Sequence, residues 1–139
     1  MFCFMKSEEE IRKTFKLFLD ENGILNLSIF NESSDKEETI LAAQLIKNEV
    51  ENILNQSTPK STNILLDLTP LKIVKVPPSA KAREIYIKLS SDARINKIAI
   101  IGASYFHVSI AKSIFTIARK KKVNAFSDRK EASDWLREE

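Results

Sequence analysis

The chain has 139 residues, 43% of them hydrophobic and 29% charged, a composition that fits one globular domain and excludes a disordered or fibrous protein. Its formal net charge of +3 is too small to indicate nucleic-acid binding, so we predict no nucleic-acid partner. With one cysteine and one histidine, the chain lacks both the pair needed for an intrachain disulfide and the clustered ligands of a structural zinc site.

The apolar opening from Met1 to Met5 has no basic segment before it and is too short for the core of a signal peptide. No later apolar run approaches the roughly 20 residues that a bilayer requires. We therefore predict an N-terminal tail over residues 1–12, one domain over residues 13–139, and a cytoplasmic protein without an integral membrane segment. The single cysteine fits a reducing compartment.

A β-hairpin is predicted near the start of this domain. Apolar residues alternate with polar ones over residues 14–20 and again over residues 25–29, and Asn22-Gly23 lies between the two runs. Asn-Gly readily takes the positive φ angles of a tight turn between twisted strands. The two strands should therefore pair in antiparallel fashion.

A long amphipathic helix is predicted next. Ser34 followed by Glu37 has the spacing of a capping box, which satisfies the free amides at a helix start. The apolar period that follows runs to about Gln56 and places its hydrophobic residues on one broad face. We expect that face to pack on a sheet.

The second half of the chain alternates buried strands with helices. Apolar runs at residues 64–68, 98–101 and 123–126 indicate strands, and helices are predicted at about 79–89 and 105–120, with a last helix after the third strand. Such alternation implies right-handed crossovers and parallel pairing. The predicted fold class is α/β, with a single mixed sheet in which an N-terminal antiparallel hairpin is followed by parallel β-α-β-α-β-α.

Three segments carry a resemblance to a known family. They are the buried strand over residues 63–68, which ends near an acid, the strand over residues 97–102, and residues 124–136, where a short strand closes on Phe before a capped helix with Trp-Leu. The chain resembles the STAS fold, named for sulfate transporters and anti-sigma factor antagonists, and in particular its SpoIIAA-like branch. The resemblance implies a small non-enzymatic module for regulation or binding, some members being similar to the CRAL-TRIO carriers of apolar ligands.

Ser79 is the candidate regulatory residue. Anti-sigma factor antagonists of this family carry a phosphorylatable serine, preceded by an acid, at the start of the helix after the buried strand. In this chain the place reads Val76-Pro77-Pro78-Ser79, with an apolar segment before the serine and no acid. The resemblance therefore leaves a protein-interaction switch as one possibility, and the competing interpretation is that Ser79 caps the following helix.

A candidate ligand site comes from the segment over residues 69–78, which is too apolar for a solvated loop. This segment either lies over a pocket or adds a short edge strand. In the first case a pocket forms against the start of the helix after Gly102, and it should take an apolar or amphipathic small molecule. The candidate ligand-binding residues are Leu71, Ile73, Val74, Val76, Ser104, Tyr105 and His107.

The best catalytic set that the sequence offers is Asp67, Ser104 and His107, and nothing in their spacing ties them together. We therefore predict no enzyme, no catalytic residue, no metal and no cofactor, with an uncharacterised enzyme as the third interpretation. The preferred partners are an apolar small molecule or another protein, and a homodimer stays open. Trp135 is expected to be mostly buried, so that Trp135→Ala would cost about 3 to 5 kcal/mol.

Overall fold

The computed structural model describes residues 7–30, 35–56, 61–71, 78–119 and 122–138. The elements in chain order are α1 (Glu8–Arg12), β1 (Phe15–Leu19), β2 (Ile24–Ile29), α2 (Lys36–Gln56), β3 (Thr62–Asp67), α3 (Ala80–Ser90), β4 (Ile95–Ile101), α4 (Tyr105–Arg119), β5 (Val123–Phe126) and α5 (Arg129–Arg137). The strands form one sheet in the order β1-β2-β3-β4-β5. β1 and β2 are antiparallel and every other pair is parallel, so the predicted mixed sheet is confirmed.

The hairpin turn forms as its sequence predicts. Gly23 has a φ of 77°, a left-handed conformation that glycine adopts without steric cost. The carboxylate of Asp20 supports the turn, since its Oδ1 accepts hydrogen bonds from the backbone N–H groups of Asn22 at 2.8 Å and Ile24 at 3.0 Å. The register then pairs Leu17 with Leu27.

The two faces of the sheet are covered unequally. Successive residues of a strand point to opposite faces. The face that carries Leu27, Leu66 and Ile100 lies under α2, α3 and α4 and contains the larger core. The opposite face, with Leu65 and Ala99, is covered over β3, β4 and β5 by α5. Both faces of the central strand are therefore buried.

The long helix α2 ends at Gln56 as predicted, while the predicted cap at Ser34 lies outside the described residues. Asp35 acts as a cap, because its Oδ1 accepts a hydrogen bond from the backbone N–H of Glu38 at 3.0 Å. None of the helices in the described ranges is both long enough and apolar enough to cross a membrane.

Residues 8–12, which the sequence assigned to a tail, form α1 and belong to the packed fold. Ser7 and Glu10 make a capping box at its start. Ile11 is 2% exposed and lies in the larger core, and Arg12 makes an ion pair with Glu49 of α2. Five residues give little more than one helical turn, which is too short to display an apolar period.

The last helix is attached to the sheet by its apolar face and by hydrogen bonds at its C-terminal end. Leu136 is 1% exposed, and its carbonyl oxygen accepts a hydrogen bond from Asn63 Nδ2 at 2.6 Å. Lys97 Nζ donates to the carbonyl oxygen of Trp135 at 2.9 Å and lies 5.1 Å from the centre of its ring. These donors also favour the negative end of the helix dipole. Trp135 itself is partly buried and packs against the smaller core, in agreement with the expectation that it is mostly buried.

We expect the stability of the docked helix to depend on Leu136 more than on Trp135. Leu136→Ala should lower the free energy of unfolding by about 3 kcal/mol, because it empties a closed apolar site. Trp135→Ala should cost about 2 kcal/mol, since part of the ring already contacts water. Urea unfolding of both variants checks this order, and a larger loss from Trp135→Ala would contradict it.

Candidate ligand-binding cavity

A largely apolar cavity of about 120 Å³ lies between the sheet and the helices α2 and α4. It is on the more thickly covered face, near the end of β3. Apolar side chains from six elements form most of its wall, among them Ile11, Phe15, Leu27, Ile46, Leu66 and Ile114. The sequence predicted a pocket near this edge of the sheet, and the cavity extends further beneath α2 than that prediction placed it.

Small side chains on the inner faces of the two covering helices leave room for the cavity. Ala42 of α2 and Ala111 of α4 both line it, and Ala111 is 8% exposed. Larger apolar residues at these positions would extend into the space between helix and sheet. The cavity therefore results from alanines that face the sheet at its C-terminal edge.

Gly102 brings the start of α4 close to the end of β3. A Cβ atom at this position would lie 2.7 Å from Val108 Cγ2 and 3.2 Å from Leu68 Cβ. Real Cβ contacts are longer than the first distance, so only glycine fits without a shift of its neighbours. The tight strand-to-helix connection predicted from the sequence is present.

The cavity also has polar residues at the helix starts. Glu38, in the first turn of α2, is 6% exposed, and His107, in the first turn of α4, is 5% exposed. Thr14 and Thr39 line the cavity as well. A carboxylate near a helix N-terminus is favoured by the helix dipole, which helps to explain why Glu38 is tolerated inside the fold.

The structure brings only some of the predicted site residues together. Leu71 and His107 line the cavity. Ser104 lies beside it at the start of α4, where its Oγ is 3.5 Å from the backbone N of His107. Tyr105 is 87% exposed and does not line the cavity, so its predicted place there is wrong. The predicted residues Ile73, Val74 and Val76 lie outside the described residues.

Glu38 is a buried ionisable residue of the cavity that the sequence-based prediction did not include. It lies four residues before Ala42 and eight before Ile46, a spacing that places all three on one face of α2. Acids are rarely buried, and Glu38 falls within an acidic run at the helix start. Its charge therefore favours a surface position, whereas its spacing from Ala42 and Ile46 places it on the inner face of the helix.

Asp67 and His107 are separated by the sheet. The Oδ2 atom of Asp67 accepts a hydrogen bond from Arg129 of α5 at 2.7 Å, on the face opposite to Leu66 and the cavity. Arg129 also donates to Asn26 Oδ1 at 2.9 Å. The catalytic set considered from the sequence is therefore not assembled. Across the described ranges, no three His, Cys, Asp or Glu side chains are grouped as a metal site would need.

Ser79 caps α3, as one of the two interpretations predicted. Its Oγ accepts a hydrogen bond from the backbone N–H of Ala82 at 3.3 Å and from Thr39 Oγ1 at 3.1 Å. The second bond links the starts of α2 and α3 beside the cavity. A regulatory role for Ser79 stays a prediction.

We expect Gly102→Ala to lower the free energy of unfolding by about 1 to 3 kcal/mol, because the added methyl group overpacks the contact with Leu68 and Val108. Methyl NMR signals of these two residues should shift. Gly23→Ala is the comparison, since nothing lies within 4 Å of its Cβ and its cost, about 1 to 2 kcal/mol, comes from the left-handed backbone alone. Wild-type stability and unchanged shifts in Gly102→Ala would contradict the close approach.

Most of the chain matches a known family. A family model described as SpoIIAA-like matches residues 24–137. The fold is also similar to the crystal structure of an uncharacterized protein with a SpoIIAA-like fold from Shewanella loihica PV-4, with a TM-score of 0.60 and 18% sequence identity over 88% of this chain and 91% of that chain. No curated protein matches the chain. The family match confirms the resemblance seen in the strand and helix segments. Because the sequence identity to the solved structure is 18%, that structure supports the fold alone.

Proposed function

Because the chain belongs to the SpoIIAA-like family, we propose that it is a non-catalytic binding module that holds an apolar or amphipathic small molecule in the cavity beneath α2 and α4. The cavity itself is the observation that carries the proposal. Core packing usually leaves few voids larger than a water molecule. A space of about 120 Å³ with two buried ionisable residues in its wall fits a site for a small ligand.

The volume limits the size of the ligand. Apolar cavities of about 150 Å³ hold a benzene molecule, whereas sites for drug-sized ligands measure about 300 to 1,000 Å³. A cavity of about 120 Å³ therefore takes one small ring, a short alkyl chain or one end of a longer molecule. A whole lipid needs more room than this.

The arrangement of wall and polar residues fits an amphipathic ligand. Most of the wall is apolar and makes burial of a hydrocarbon group favourable by about 25 cal/mol per Å². Glu38 and His107 lie at the helix starts and offer hydrogen-bonding groups to the other end of the ligand. The apolar wall then supplies most of the binding free energy, and the polar groups fix the orientation of the ligand.

A protein-interaction switch of the anti-sigma-factor-antagonist type is the second candidate. The observation in its favour is the outer surface of α4, where Tyr105 is 87% and Ile117 is 62% exposed, with the basic Lys112 between them in sequence. Exposed aromatic and aliphatic side chains of this kind serve as contact points for a partner. A phosphate on Ser79 would meet the free amides at the start of α3.

Native mass spectrometry and a cavity-filling variant test the first candidate. We expect the purified protein either to carry a small co-purified mass or to bind toluene at millimolar concentration. Ala111→Leu should weaken toluene binding at least tenfold without loss of stability, because the new side chain fills the cavity. Ala93→Leu is the matched control, since Ala93 is exposed and does not line the cavity.

Two outcomes would contradict the proposal. Unchanged toluene binding in Ala111→Leu would place the site elsewhere. A clean monomer or dimer mass together with no toluene binding would favour the interaction module.

A further inference from the structure

A second, smaller cavity lies on the same face of the sheet, toward the N-terminal ends of β3 and β4. It measures about 20 Å³ and is bordered by Val50 of α2, Leu89 of α3 and the strand residues Ile64 and Ile98. By this measure it has room for about one water-sized group. We call it the inner cavity, and the cavity of about 120 Å³ the outer cavity.

The two cavities follow one another along the central strand and along the helix that covers it. Leu68 lines the outer cavity, Leu66 lines both cavities and Ile64 lines the inner one. Alternate residues of a strand share a face and are about 6.6 Å apart, so the two cavities are neighbours on one line. α2 keeps the same order, since Ile46 lines the outer cavity and Val50, one turn later, lines the inner one. The space beneath the helices therefore has one long axis.

Two aromatic rings stand between the cavities on the side of the helices. Tyr86 of α3 and Phe115 of α4 line both cavities, as do Leu27 and Leu66 on the sheet. The two rings are in edge contact, with centres 6.3 Å apart and planes at 69°. Both residues are only partly buried, and α3, which carries Tyr86, contacts α2 and α4. The ring pair thus forms a partition opposite the two leucines.

Polar residues are distributed unequally along this axis. The buried Glu38 and His107 line the outer cavity, at its helix-start end. Among the described residues of the inner cavity, only Tyr86 and Ser90 are not hydrocarbon side chains, and the hydroxyl of Ser90 donates to the carbonyl oxygen of Ile87 at 2.9 Å. A molecule that extends through both cavities therefore places its polar group at the helix starts and its hydrocarbon at the other end.

We propose that the rings of Tyr86 and Phe115 are a movable partition, and that their displacement joins the two cavities into one channel for the unbranched alkyl chain of a single-chain amphiphile. This inference rests on the proposed binding function. The end of the chain occupies the inner cavity. An edge contact between two rings is weak, so burial of a few methylene groups in the channel offsets its loss.

A series of unbranched primary alcohols measures the length of the site, because a hydroxyl group both donates and accepts and so suits either kind of polar neighbour. In titration calorimetry on the full chain, affinity should rise about fourfold for each methylene group from butanol to octanol. Methyl NMR locates the end of the chain. Octanol should shift the signals of Val50, Ile64 and Leu89, whereas butanol should shift only outer-cavity signals such as those of Ile114.

Two substitutions should change the ratio of octanol to butanol affinity in opposite directions. Val50→Ile adds a methylene group to the inner cavity and should lower the ratio at least fourfold, because the end of the chain loses its place. Phe115→Leu removes one ring of the partition and should raise the ratio about threefold, since no ring contact has to be broken. Val123→Ile is the matched control, because Val123 is 8% exposed and lines neither cavity.

The results separate this inference from the proposed function. If butanol binds but octanol gains no affinity over it and leaves the inner-cavity methyl signals unshifted, the partition is fixed and the outer cavity alone is the ligand site. An unchanged ratio in Val50→Ile, or in Phe115→Leu if the first variant does not fold, would also overturn the inference. Failure of toluene and of every alcohol to bind would overturn the ligand site together with the channel.

Discussion

Burial of the central strand on both faces is the constraint on which the rest of the structure depends. Leu65 is 2% exposed and Leu66 is 3% exposed, although they are neighbours and point to opposite sides of the sheet. The chain must therefore supply helices to both faces. A shift of the strand by one residue would exchange every side chain between the two layers, so hydrophobic matching on both sides fixes the register.

That register also separates two groups of polar residues. Leu66 faces the cavity, while its neighbour Asp67 faces α5 and pairs with Arg129. Arg129 in turn contacts Asn26, which is 3% exposed although it stands at a polar position in the hairpin pattern. Asp67 and His107 therefore belong to different sides of the sheet. The first stabilises the attachment of α5, and the second is part of the cavity wall.

Hydrophobic periodicity predicted the elements well because the driving force for their burial is the same force that sets the pattern. The run from Ile64 to Leu68 is apolar at successive positions and predicted a strand buried on both faces, which the structure contains. The Asn-Gly pair predicted a tight hairpin turn, which is also present. The sequence did not predict α1, because a helix of little more than one turn is too short to show a hydrophobic period. Spacing also placed Trp135 on the inner face of α5, although spacing does not tell whether a residue lies at the centre or at the edge of a contact. Glu38 was missed because its charge predicts exposure, whereas its neighbours in the helix place it inside.

The contacts of Arg129 join parts of the chain that are far apart in sequence. Arg129 is 103 residues from Asn26 and 62 residues from Asp67 in the sequence. Contacts of this range close large loops, and their entropic cost makes them late events in folding. We expect the hairpin and the strands under α2 and α4 to associate first, with α5 docking last. Until then the apolar strip of Ile24, Leu65, Ala99 and Ile101 is open to other chains, so the rate of α5 docking sets how long the nascent sheet is exposed to aggregation.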